Sequence, residues 1–268
     1  MAEASVATAE SVTQLADVAG KVLVAGSHGG VIAAYYGAKA GVHALVLNDA
    51  GEGKDRAGIA GLPWLDDLGM AAATVDCMSA RIGDGADMLA RGIVSHANAY
   101  AAICGVAAGQ SCQEAVGRLR SAAAPRSAPP PYAEGRWRIE SGPPETWALD
   151  STGMLERADA GRILVIGSHG ALLGGRPESA LGVEAAAAVF NDAGLGADRI
   201  GISRLTVLSR RGIPAAAVDC MSARIGDGRS MWETGVISHA NSAAGALGVA
   251  RGMDVRSFAG LIAAQNRR

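Results

Sequence analysis

Aromatic residues make up only 4 % of this 268-residue chain, and charged residues 19 %. With few rings available, Ala, Val, Leu and Ile must build the core. At 49 % hydrophobic residues the chain is too apolar to stay disordered. Neither sign of charge is in excess, since 24 Lys and Arg face 26 Asp and Glu for a net charge of −2. Without a basic surplus to displace counterions, nucleic acid is not an expected partner. No apolar run reaches the roughly 18 residues of a membrane span, so no membrane partner is expected either. The opening Met1-Ala2-Glu3-Ala4-Ser5 lacks the positive start and apolar stretch of a secretory signal. The four cysteines, Cys77, Cys104, Cys112 and Cys220, show no CxxC spacing, which argues against a zinc knuckle or a redox pair. Free thiols in a chain read as leaderless predict a cytoplasmic location.

What the chain does have is repetition. Gly26-Ser27-His28-Gly29 recurs as Gly167-Ser168-His169-Gly170, and Asn48-Asp49-Ala50-Gly51 as Asn191-Asp192-Ala193-Gly194. The run from Val75 to Gly85, VDCMSARIGDG, returns unchanged from Val218 to Gly228, and Ser95-His96-Ala97-Asn98 returns as Ser238-His239-Ala240-Asn241. A two-residue insertion around Gly174 to Glu178 accounts for the one change of register. The spacing is too long for a solenoid and predicts a duplicated domain. The expected organisation is an N-terminal segment over 1–20, one repeat over 21–121, a linker over 122–160 and a second repeat over 161–268. The linker is Pro-rich at Pro129-Pro130-Pro131, and Trp137 and Trp147 flank a turn that predicts a hairpin or an arm.

Within each copy, short β-rich runs alternate with helical spacing. Strands are expected over 21–25, 43–47, 71–75 and 162–166, and helices over 31–40, closed by Gly41, and 59–68. Strands joined by helical crossovers are parallel and right-handed. The predicted fold is α/β: a tandem duplicated three-layer α/β domain with mostly parallel sheets, its halves related by a pseudo-twofold axis.

Ligands of open parallel sheets bind beyond the carboxyl ends of the strands, and the repeated polar residues gather there. Ser27 and His28 follow the first strand, Asn48 and Asp49 the second, and Asp76, Cys77, Ser79 and Arg81 the third, while Ser95, His96 and Asn98 are expected to open the next helix. Their counterparts are Ser168, His169, Asn191, Asp192, Asp219, Cys220, Ser222, Arg224, Ser238, His239 and Asn241. Four of the five histidines, all but His43, occupy matched positions, whereas the helices differ freely between copies. Ser-His-Gly between a strand and a helix suits anion binding by backbone N–H groups, or a nucleophile elbow with its first glycine replaced, or a plain turn. Asp55-Arg56, matched by Asp198-Arg199, is placed at the rim.

A strand-end cysteine becomes a nucleophile when an imidazole or a helix N-terminus lowers its pKa. That makes Cys77 and Cys220 candidate nucleophiles, with His28, His96, His169 and His239 as acid–bases and Asp49, Asp76, Asp192 and Asp219 as orienting groups. The commoner fate of a free cysteine is a small buried hydrophobe. Ser27, Asn48, Ser79, Arg81, Asn98, Ser168, Asn191, Ser222, Arg224 and Asn241 are candidate substrate contacts, the two arginines as carboxylate anchors. The pairing of Ser-His-Gly with a later Asp-Cys locally resembles the His and Cys motifs of caspase-like peptidases, over those few residues only. The intervening helix-strand-helix departs from that family's order.

These residues predict a cofactor-independent hydrolase of a small polar amide, imide or ester, with a small-molecule, anionic substrate. A two-base isomerase or racemase is the alternative, with Cys77 and Cys220 meeting between the halves. That would resemble two-cysteine amino-acid racemases in the paired thiols alone. A metal-dependent hydrolase and a non-catalytic small-anion binder are further alternatives. No compact HxH, HxxxH or HExxH spacing marks a metal site, so no cofactor or metal is expected. The apolar helices are compatible with a homo-oligomer.

Overall fold

In the computed structural model, which describes residues 3–265, the apolar runs assemble into two mostly parallel sheets of five and six strands. The first sheet contains, in spatial order, β1 (Val6–Ala9), β2 (Val22–His28), β3 (Ala44–Asn48), β4 (Ala72–Val75) and β5 (Val94–Ala97). Strands β1 to β4 are parallel and β5 runs antiparallel to β4. Its helices are α1 (Val31–Lys39), α2 (Gly61–Asp67), α3 (Gly85–Arg91), α4 (Ala99–Ile103) and α5 (Cys112–Leu119).

Buried on both faces, the central strands read as continuous apolar runs, as a covered parallel sheet requires. Alternate residues still part company. Val22, Val24 and Val46 pack towards Met88, Ala115 and Leu119 of α3 and α5. Leu23, Ala25 and Leu45 pack towards Ala33, Ala34 and Leu65 of α1 and α2. Helices therefore cover both faces, giving three layers.

The second half opens with a hairpin, β6 (Arg136–Glu140) and β7 (Thr146–Leu149), followed by β8 (Ile163–His169), β9 (Ala187–Asn191), β10 (Ala215–Val218) and β11 (Ile237–Ala240). The sheet order is β11-β10-β9-β8-β7-β6, with β7 to β10 parallel and the two edge strands antiparallel. The hairpin expected in the linker thus belongs to the sheet, where β7 holds the place beside β8 that β1 holds beside β2. Helices α6 (Ser203–Arg210), α7 (Gly228–Thr234), α8 (Ser242–Gly245) and α9 (Val255–Gln265) complete the half. Among the described residues no helix is long and apolar enough to cross a membrane.

Two local expectations change. Ser95 and His96 lie on the edge strand β5 rather than at a helix start, and only Asn98 caps α4. Val94 turns inward while the polar residues after it stay half-exposed, which suits an edge strand. The second half also has no counterpart of α1. Gly174 and Gly175 adopt left-handed backbone there and Pro177 follows, so Leu173–Gly175 and Pro177–Ser179 form only short 3-10 turns.

The halves meet through Ala50, Ile82, Ala171, Ala193 and Ile225. Hydrogen bonds across the junction come in reciprocal pairs: Lys54 N–H donates to the Cys220 carbonyl at 2.8 Å and Ala197 N–H to the Cys77 carbonyl at 2.7 Å. Ion pairs repeat the pattern, with Arg81 on Asp198 at 2.8 Å and Arg224 on Asp55 at 3.0 Å.

Candidate functional site

The loop after β3 sets the geometry of the junction. Ala50, Gly51, Glu52 and Gly53 all take positive φ, as do Ala193, Gly194, Leu195 and Gly196 after β9. Left-handed backbone at a non-glycine residue costs on the order of 1 kcal/mol or more, so surrounding contacts must hold these turns. Asp49 Oδ1 does so by accepting the N–H groups of Gly51 and Cys77, both at 2.9 Å. Asp192 does the same for Gly194 at 3.1 Å and Cys220 at 3.0 Å. Burial raises the pKa of both carboxyls against the lowering effect of those N–H groups.

This arrangement brings the two thiols to the junction but keeps them from the imidazoles. Cys77 is raised to about 12 by burial, then by Asp49 and Asp76, and Cys220 likewise by burial, Asp192 and Asp219. No histidine is among the leading causes of either shift, and both thiols are held protonated at neutral pH, the opposite of an activated nucleophile. Asp49, Asp76 and Cys77, and equally Asp192, Asp219 and Cys220, place potential ligand atoms within 4.8 Å of one another. Among the described residues these are the groups in each half able to approach a metal ion. One oxygen of Asp49 and of Asp192 is already committed to two backbone N–H groups.

Most of the expected substrate contacts hold backbone instead. Ser27 Oγ accepts from Val12 N–H and Ser168 Oγ from Thr152 N–H, so each holds the chain that precedes its strand. Asn48 and Asn191 accept from the backbone two residues on. Ser79 and Ser222 each donate to the carbonyl of the preceding aspartate, Asp76 or Asp219. Those aspartates accept from Met78 and Met221. Asn98 and Asn241 cap α4 and α8 while tying down Ala72 and Ala215. Arg81 and Arg224 join the halves through Asp198 and Asp55, and Arg224 is held further by Asp227. Their guanidinium groups are engaged between protein carboxylates rather than open as anchors.

His28 and His169 lie apart from the thiols, at the ends of β2 and β8. Nδ1 of each accepts a backbone N–H, from Gly30 at 3.1 Å and Ala171 at 3.3 Å. Burial lowers His28 to about 4 and, with Arg204 and His28 adding to it, holds His169 well below the ordinary range.

His96 and His239 line open clefts, one in each half. The second-half cleft, about 610 Å³, is lined by His239, Arg199, Asp198, Thr206, Ser209 and Arg210. The first-half cleft, about 440 Å³, is lined by His96, Arg56, Asp55 and Asp66. The two are wired differently. Arg199 Nη2 lies 3.0 Å from His239 Nε2, and His239 Nδ1 lies 3.2 Å from Ser238 Oγ. The Ser238 hydroxyl donates to the Ala217 carbonyl at 3.2 Å, as Ser95 does to the Thr74 carbonyl at 3.3 Å, and each lowers the pKa of its half's buried carboxyl, Asp192 or Asp49. Burial and then Arg199 lower the His239 pKa, with Asp192 opposing them.

In the first half, Thr74 stands opposite His96 where Ala217 stands opposite His239. Thr74 Oγ1 takes Ser95 Oγ at 3.0 Å, and His96 Nδ1 is left buried without a partner. Glu52, whose counterpart is Leu195, approaches His96 Nε2 at 3.4 Å and Arg56 Nε at 3.0 Å. Both imidazoles thus face a guanidinium, Arg56 Nη2 at 3.5 Å from His96 Nε2 and Arg199 Nη2 at 3.0 Å from His239 Nε2, but His96 also has the Glu52 carboxylate beside Nε2, whereas His239 has Ser238 beside Nδ1.

The cleft residues Thr206, Ser209 and Arg210 carried no repeat signal and were not expected. Arg56 and Arg199 were legible as a matched pair. No known protein family, curated protein or solved structure matches this chain.

Proposed function

We propose that the chain is a cofactor-independent hydrolase of a small anionic amide, imide or ester, and that the second-half cleft carries the reaction. The observation that supports this most directly is Arg199 Nη2 at 3.0 Å from His239 Nε2 on the wall of a polar cleft. A guanidinium is always charged, so it keeps a neighbouring imidazole neutral, and a neutral imidazole is a competent general base. Because Arg199 donates to Nε2, the ring proton resides on Nδ1 and faces Ser238, with Asp192 behind it.

A substrate carboxylate would draw Arg199 away and expose the Nε2 lone pair. His239 then takes a proton from water as the oxygen attacks the substrate carbonyl, and returns it to the leaving nitrogen or oxygen. Ser238 and Asp192 are positioning residues that support the imidazolium formed between those steps. A two-thiol isomerase is supported less well, since both thiols are buried, protonated and absent from the clefts described above. The four unpaired cysteines suit a cytoplasmic setting.

The test is turnover of a panel of small anionic amides, imides and esters in water carrying labelled oxygen. Label in the product, lost in His239→Gln, is the expected result. Solvent deuterium at the substrate α-carbon, without label uptake, would overturn the hydrolytic reading in favour of isomerisation.

A further inference from the structure

A separate cavity of about 220 Å³ lies between the halves, lined by His28, Asp55, Tyr132, Arg224, Asp227 and the first turn of α1. His28 is only 7 % exposed, and its Nε2 has no partner among the described residues. Because Nδ1 accepts the Gly30 N–H, the neutral ring carries its proton on Nε2 and presents a donor. Gly226 leaves that edge of the ring uncovered: a Cβ there would stand 3.5 Å from Nε2 and 3.2 Å from Cε1. Helix α1 starts beside it with no side-chain cap, so its first N–H groups add partial positive charge to the same wall.

The facing wall has the opposite character. Arg224 is held between Asp55 at 3.0 Å and Asp227 at 2.8 Å, one formal positive charge against two negative. An anion would meet a surplus carboxylate, and a cation would meet the imidazole N–H and the helix end. A group with an acceptor beside a donor satisfies both walls.

We propose that this cavity binds a small uncharged molecule carrying a carbonyl next to an N–H, such as an amide, imide or urea. The carbonyl accepts from His28 Nε2–H, the ligand N–H donates to Asp55 or Asp227, and Tyr132 of the linker closes the side. The volume suits a fragment-sized ligand, below the usual range for drug-sized ones. Among the described residues the site occurs once. Around His169 the equivalent space is closed, because Gly174 N–H donates to the Gly83 carbonyl and a Cβ at Gly83 would come within 2.6 Å of the Leu172 carbonyl. This assignment stands apart from the hydrolytic reading of the His239 cleft and survives its failure.

Nitrogen-labelled histidine spectra of the full chain, titrated with succinimide and separately with acetate, test it. Succinimide is expected to shift the His28 Nε2–H signal, and acetate to leave it in place. Asp55→Asn, which keeps a residue at ease in left-handed backbone, should weaken succinimide about tenfold, the worth of one hydrogen bond. Tyr132→Phe serves as a second variant and should weaken it less, while Arg199→Met should leave it unchanged. A His28 signal unmoved by succinimide, tighter binding of acetate, or a loss in Arg199→Met but not in Asp55→Asn would each overturn the proposal.

Discussion

Gly51 and Gly194 touch backbone to backbone at the junction of the halves: a Cβ on Gly51 would lie 3.0 Å from the Gly194 Cα, and one on Gly194 would lie 3.1 Å from the Gly51 Cα. Both residues also take left-handed φ, at 72° and 70°. Gly51→Ala and Gly194→Ala are therefore expected to destabilise the chain by roughly 2–4 kcal/mol each, from strain and overpacking together. Breaking the exposed Arg81–Asp198 pair with Arg81→Ala should cost under about 1 kcal/mol. Urea denaturation of the three variants measures both; equal losses would mean that charge rather than close approach joins the halves.

His239→Gln should lower kcat/KM by roughly 10²–10⁴, the usual contribution of a general base, with little change in stability. Its counterpart His96→Gln should leave turnover nearly intact. The acid limb of the wild-type profile should lie below the ordinary imidazole range, because burial and Arg199 disfavour the protonated ring. A limb at or above that range would remove His239 from the base role.

Arg199→Met should raise KM for anionic substrates by about tenfold or more while an uncharged analogue is little affected, in line with the loss of a charge-assisted hydrogen bond worth roughly 1.5–3 kcal/mol. Equal losses for both substrates would point to a structural role.

Thiol chemistry offers an independent check. With Cys77, Cys112 and Cys220 all raised to about 12, alkylation at pH 8 should reach the half-exposed Cys104 first and leave the other three nearly untouched until unfolding. Cys77→Ala with Cys220→Ala should retain most turnover. Rapid modification of Cys77 in the folded chain, with parallel loss of activity, would restore the thiol mechanism.

Stability should fall on acidification. His28 has its pKa lowered from 6.5 to about 4 in the fold, so below about 6.5 the unfolded chain gains a proton that the folded chain refuses. Its contribution is complete above that value and is lost progressively down to about 4, amounting to roughly 3 kcal/mol. His169 acts in the same direction, whereas the raised carboxyls Asp49, Asp150 and Asp192 oppose it. The difference between wild type and His28→Asn across that interval isolates the imidazole. Parallel curves would show that His28 titrates normally.

Much of the architecture was legible because apolar strands covered on both sides leave continuous runs, and glycine marks where they end. Runs such as Val22–Ala25 and Ala72–Val75 therefore located the sheets. The gathering of polar repeats at one sheet edge was legible too, but it merged several roles. Asn98 ties down Ala72, Ser27 holds Val12, and Arg81 reaches Asp198, and each needs a partner well removed in the chain that no local pattern announces. The strand at Ser95–His96 was obscured because an antiparallel edge four residues long has too short a period to read. What separates the two clefts rests on single exchanges, Thr74 for Ala217 and Glu52 for Leu195, whose meaning depends on which side chain lies opposite.

The hairpin of β6 and β7 has a bearing on how the chain can be divided. Because β7 docks along β8 and β6 along β7, the second sheet recruits chain that precedes its own repeated sequence. Severing the polypeptide where the recurrence begins, near Arg162, would strip two strands from one fragment and leave them dangling from the other. A clean seam lies further upstream, in the proline tract at Pro129–Pro131, and complementary fragments parted there would each carry a full set of strands.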